Sequence, residues 1–231
     1  PWPGEIAVYR SAATDGCVLL TTFGTRARMG VLAADFFSGP VSRFDLGHEL
    51  VVDLYSGTLE SVTDITLLGG ANALAVETAA GQWEIVQAGA AELLAPGRYR
   101  LTRLLRGQRG TEGAMGNPAP AGALVVVLDA SLASLPIAEA DLGIPWNWRI
   151  GPASRPVSDE TYVAQAFTPV GVGLRPFSVA HVEQPWRTPR TPGDLTIRWT
   201  RRSRALAADS WGGLEVQLAE ELEAYEVEIL D

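Results

Sequence analysis

The chain contains no lysine: all 18 of its basic residues are arginine, set against 27 acidic residues, for a formal net charge of −9. We attribute the missing lysine to the codon usage of a GC-rich genome rather than to chemistry. The acidic balance argues against a free-standing surface for nucleic acid or anionic membrane, so direct nucleic-acid binding is not expected. Cys17 is the single cysteine, which leaves no disulfide framework and no thiolate metal cluster; burial habit makes it a small core residue on a strand. There are two histidines. His48 with Asp45 and Glu49, or His181 with Glu183, could in principle hold a metal, but neither has a recognisable ligand spacing. No stretch approaches the ~20 apolar residues of a membrane span. No signal peptide is visible, no nucleophile elbow, phosphate loop or dinucleotide fingerprint is recognisable, and Gly69-Gly70 and Gly171-Val172-Gly173 say only that the chain turns. The opening Pro-Trp-Pro lacks a methionine, so the sequence reads as a piece of a longer polypeptide.

What is present is turn chemistry and alternation. With 231 residues, 24 glycines and 15 prolines, the chain can bury a sizeable core, and its many short alternating or apolar runs favour an all-β, mainly antiparallel fold. Strands are predicted over 5–10, 17–23, 30–35, 50–54, 73–78, 83–88, 98–105 and 124–129, with one short helix within 59–68. A hairpin turn over 79–82 would set Leu74 and Val76 opposite Trp83 and Ile85. Beyond this first β domain, 1–135, prolines punctuate a connector, 136–176, holding two strands near 146–150 and 161–167. Alternation then returns. Leu195, Ile197 and Trp199 share one face, as do Tyr225, Val227 and Ile229, so 177–231 is expected to form part of a fibronectin type III-like or immunoglobulin-like sandwich. That stretch is too short for the about seven strands of a complete one.

The most informative segment is residues 103–112, Arg-Leu-Leu-Arg-Gly-Gln-Arg-Gly-Thr-Glu. The preceding strand alternates, with Tyr99 and Leu101 on one face and Arg98, Arg100 and Thr102 on the other. In that register Arg103 falls on the apolar face. Either a bulge turns it outward, or it is buried and paired, with Glu112 or Glu84 as partner. Arg103, Arg106, Gly107, Arg109, Gly110 and Glu112 together read as a charged turn locked by internal ion pairs. Gripping a phosphate or an acidic sugar is the competing reading. Among the tryptophans, Trp83 and Trp199 sit on apolar strand faces and are expected in the core. Trp146, Trp148, Trp186 and Trp211 lie near proline- or glycine-rich segments and are candidates for contact with a neighbouring protein or a glycan. The cluster Glu220, Glu221 and Glu223 reads as a solvated turn rather than a glycosidase pair.

The 103–112 segment resembles the LLRGQRGTE signature of the large tail-tip (hub or baseplate) proteins of alphaproteobacterial gene transfer agents and related siphophages, often described as host-specificity or glycoside hydrolase/phage-tail proteins. Further blocks carry the likeness in order along the chain. They are Trp2-Pro3-Gly4 with Ala7-Val8-Tyr9-Arg10-Ser11, Gly70-Ala71-Asn72-Ala73, Trp83-Glu84-Ile85-Val86-Gln87 and Gly173-Leu174-Arg175-Pro176-Phe177. Near the end come Trp199-Thr200-Arg201-Arg202-Ser203-Arg204, Asp209-Ser210-Trp211 and residues 223–231. The resemblance implies a virion structural protein at the tail tip, made in the bacterial cytoplasm, that contributes to host-cell contact and DNA delivery. It implies other tail and baseplate proteins, and the rest of a longer, trimeric parent chain, as partners, with a cell-surface glycan as a further one. No catalytic residue, cofactor or metal is expected. The alternatives are a glycan-binding module, or a non-catalytic accessory domain of a cell-wall glycoside hydrolase.

Overall fold

Alternation of apolar and polar side chains generates most of the architecture. The computed structural model describes residues 4–79, 81–183, 196–204 and 216–227. Its strands are β1 (Ile6–Ser11), β2 (Val18–Phe23), β3 (Met29–Leu32), β4 (Phe44–Asp45), β5 (Leu50–Leu54), β6 (Ala73–Ala79), β7 (Gln82–Ala95), β8 (Arg98–Leu105), β9 (Leu124–Val127), β10 (Trp146–Pro152) and β11 (Val163–Phe167). All pairings are antiparallel, and the all-β expectation holds. The helix expected within 59–68 is confined to α1 (Asp64–Leu68), capped by the Thr63 hydroxyl, which accepts from the Thr66 amide. The residues before the cap still matter, because Leu59 is buried in the core.

The central sheet closes on itself. Passing from strand to paired strand, β8, β5, β3, β9, β6 and β7 lead back to β8, while β4 extends the line of β5 along the same side of β8. Closure depends on β7, which runs well past the expected 83–88. Its first half pairs with β6 and its second half with β8. The second half, Ala88 to Ala95, is rich in alanine and carries Gly89 and Glu92, residues with little intrinsic strand preference, so tertiary pairing overrides propensity there. Leu32, Leu50, Val52, Leu74, Val76, Val86, Leu101, Leu104 and Val125 fill the interior, each contributing about 1.5–3 kcal/mol relative to exposure. Closure leaves only the two-residue β4 with an unpaired edge among the described strands of this sheet.

The hairpin between β6 and β7 is offset by one residue from the predicted pairing. Leu74 lies opposite Val86 and Val76 opposite Glu84, whereas Trp83 faces Glu77 and Ile85 faces Ala75. A register shift between Glu77 and Ala79 produces the offset. Trp83 is therefore half-buried on the outer face, not in the core, and Glu84 points inward and is fully buried.

A second sheet has the order β11-β10-β1-β2. It joins the first two strands of the chain to the two strands of the expected 136–176 connector, with Ile6 opposite Pro152 and Ser11 opposite Asn147. Local composition shows the proline punctuation but carries no sign of which distant strand each segment will meet. Arg10 ties this sheet to the turn before β10 through a 2.7 Å contact with Asp141. Cys17 lies just before β2, half-buried with a free thiol. Among the described residues of 177–231, no strand forms beyond the bridge of Ala180 to Thr200. Ile197 and Trp199 are half-buried between exposed Thr196, Arg198 and Thr200, and Trp199 meets the exposed Tyr225 edge to face, with ring centres 5.1 Å apart. Leu195 and Ile229 lie outside the described residues.

Candidate functional site

Arg106, the first residue after β8, turns its side chain into the barrel end and is fully buried. Its guanidinium forks onto Glu84: Nε donates to Oε1 at 2.7 Å and Nη2 to Oε2 at 2.9 Å. Nη1 donates to Asp45 Oδ2 at 3.3 Å, Nη2 also donates to the Phe37 carbonyl at 2.9 Å, and the group stacks over the Phe36 ring at 4.0 Å. Glu84 Oε1 further accepts from the Gly107 amide at 3.1 Å. A buried ion pair is tolerated only when its remaining hydrogen-bonding capacity is met, and the fork geometry of arginine supplies this where a lysine would not.

Asp45 is held from a second side. Its Oδ1 accepts from the amides of Gly47 and His48, both at 3.1 Å, and His48 Nδ1 lies 3.0 Å from each carboxylate oxygen. Burial opposes ionisation of Asp45, but the His48 ring and these two amides outweigh it and hold the carboxyl below the usual range. With its lone pairs engaged by Arg106, His48 and backbone, Asp45 is a structural anion. The grouping of Asp45, His48 and Glu49 does not converge on a metal position, and no cluster of three or more ligating side chains occurs among the described residues.

The ambiguity at Arg103 resolves as a kink. Its φ is +54°, which swings the side chain out of the barrel to ion-pair with Asp64 and lie over the Phe44 ring. Neither Glu84 nor Glu112 is its partner. The kink also breaks strict alternation, so that Leu104, Leu105 and Arg106 are all buried in succession. The loop then reverses at Gly107, whose φ is +56° and whose missing side chain matters: a β-carbon would come within 2.7 Å of the Glu112 backbone. Arg109 also has a positive φ and is exposed, with no ion pair among the described residues. Residues 27–126 match the Rcc01698-like, C-terminal family.

That match is consistent with a relation to gene transfer agents. No curated protein matches the chain. The Rcc01698-like segment begins two residues before β3 and ends within β9, so it takes in the closed barrel, the Arg106 cluster and the loop that follows. The outer side of this loop is occupied by later parts of the chain. Phe177 packs over bare Gly110, where a β-carbon would stand 2.9 Å from the ring, and Arg202 donates to Glu112 Oε1 at 2.8 Å while lying over the same phenyl ring at 4.9 Å. Between this segment and the barrel end runs a cleft of about 460 Å³, lined in part by Phe44, Leu105, Gln108, His181 and Thr200.

The tryptophans fall differently from expectation. Trp148 is buried, with Nε1 donating to the Phe167 carbonyl at 3.3 Å, because it lies on a central strand between β1 and β11. Trp146 is half-buried and carries the Arg10 guanidinium over its ring at 4.3 Å. Trp186 and Trp211 lie outside the described residues. Glu220 forks with Arg204 at 2.8 Å, and Glu223 accepts from the Tyr225 hydroxyl and pairs with Arg201, each at 2.8 Å. These partners hold both carboxyls below their usual range, opposite to the raised value a glycosidase general acid needs. Sequence reasoning missed Asp45 and Phe37 as parts of the arginine cluster, since both reach it from strands or loops remote in the chain.

Proposed function

We propose that this chain is a structural part of a phage-like tail tip or baseplate hub, contributing to host-cell contact and DNA delivery without catalysing a reaction. The observation that carries the reading is the coincidence of the Rcc01698-like match with the closed barrel and its signature loop. In this reading the barrel is a rigid body in a trimeric parent, and the loop is the place where it meets the next segment of the chain. A closed barrel tightened by a buried charged cluster suits a part that must keep its shape under load. A glycan-binding role draws less support, since Trp148 is buried and one face of Trp146 is covered by Arg10.

The test is localisation in assembled particles. An epitope tag on the encoded protein should appear at the tail tip by immunogold electron microscopy, and deletion should abolish transfer of packaged DNA while leaving filled heads. A protein that fractionates away from the particles, or a deletion that leaves transfer intact, would refute the proposal.

A further inference from the structure

We infer that the second sheet is a site of self-association, in which the β2 edge of one copy takes up the β11 edge of another, head to tail. The two edges belong to one antiparallel sheet and have no further strand partner among the described residues. The sequences Val-Leu-Leu-Thr-Thr-Phe and Val-Ala-Gln-Ala-Phe contain no charge and no proline, the residues by which exposed edges normally avoid pairing, although β2 holds one bulge, where its pairing with β1 shifts between Val8 and Tyr9. Apolar side chains stand in solvent on both, with Val18 69%, Leu19 50%, Val163 64% and Phe167 48% exposed. Every residue of β11 is exposed.

Direction and face both fit. The order β11-β10-β1-β2, antiparallel throughout, makes β2 run opposite to β11, so a second copy added in the same orientation continues strict antiparallel alternation. Val163 and Phe167 lie on the face that also carries Ile150 and Trp146. Across β1 this face continues through Val8 and Arg10 to Val18 and Phe23. Head-to-tail addition brings Val18 and Phe23 of one copy to the face that carries Val163 and Phe167 of the next, with Thr21 and Gln165 between them. A two-fold pairing of β11 with β11, or of β2 with β2, would leave the other uncharged edge bare. Head-to-tail pairing satisfies both, and it ends in a ring if the rotation closes. Nothing in this pairing requires the chain to sit in a particle.

The test uses the 231-residue chain and two substitutions at exposed positions, Val18→Lys and Val163→Lys, with circular dichroism to confirm that each folds. The parent should associate in sedimentation velocity as concentration rises. Each variant alone should lose at least about tenfold in association constant, equivalent to about 1.4 kcal/mol. Mixed together they should form a one-to-one pair that grows no further, because each retains the edge the other lacks. A parent that stays monomeric at every concentration overturns the inference, as do variants that associate like the parent. Loss in one variant while the other associates like the parent overturns the head-to-tail arrangement in favour of an edge pairing with itself, and a mixture of two impaired variants that recovers nothing overturns it as well.

Discussion

Gly39 lies so close to Arg106 that a β-carbon on the glycine would stand 2.5 Å from the guanidinium Nη1 and 2.3 Å from Asp45 Oδ2. The absence of a side chain at residue 39 therefore makes room for the buried cluster. Gly39→Ala should destabilise the chain by about 1–3 kcal/mol, the usual range for overpacking a filled site. In an Arg106→Ala background the same change should cost less, and a double-mutant cycle by urea denaturation reads the difference. Additive effects would mean that Gly39 does not act through the cluster.

Arg106→Ala leaves the Glu84 carboxylate buried without its main partner and should cost about 3–5 kcal/mol. Arg103→Ala removes a half-exposed pair and should cost less than about 1 kcal/mol. The paired change Glu84→Leu with Arg106→Met should recover much of the first loss, since it removes both charges at similar volume. Urea midpoints of the four proteins decide the order.

Acid should weaken the fold partly through Asp45. Its folded pKa is depressed below the 3.8 of the free side chain, so near and below that value the unfolded chain binds more protons than the folded one. Stability is then fully present above pH 3.8 and falls as pH drops through the folded value. Asp45→Asn should flatten this limb of a stability-against-pH curve while lowering the plateau at neutral pH. An unchanged acid slope would show that Asp45 contributes nothing to it.

The contact of Glu112 with Arg202 is a single half-buried pair between residues 90 apart in the sequence. Arg202→Ala should therefore change the melting temperature little, yet raise amide exchange over residues 107–112 and 177–183, where Phe177 and the loop hold one another. If exchange there matches the parent, the later segment docks by other means.

The strands 50–54 and 98–105 were legible to the residue, because clean alternation and flanking turn residues leave little choice. The buried arginine was legible in kind: a charge-rich motif following an apolar strand has to place some of its charge inside. Its position was ambiguous because alternation assigns the inward place to Arg103, and only the left-handed backbone there passes it to Arg106. Barrel closure was not legible. It depends on the alanine-rich half of β7, whose partner lies across a turn and whose residues look unlike a strand. The second sheet was hidden for a related reason: β1 and β10 meet across more than half the chain, and nothing local marks a partner that distant.

Glu84 also has a consequence for how the chain reaches a single structure. On β7 two apolar sets compete for the interior, Trp83 with Ile85 and Val86 with Ala88, and by hydrophobicity alone the first is the stronger claimant. A slip of one residue would exchange them. It would also carry Glu84 to the outside and strand Arg106 within the barrel end, its fork left without the carboxylate that fits it. The cluster thus acts as a proofreader of strand alignment, penalising the one misfold that the apolar pattern by itself would permit.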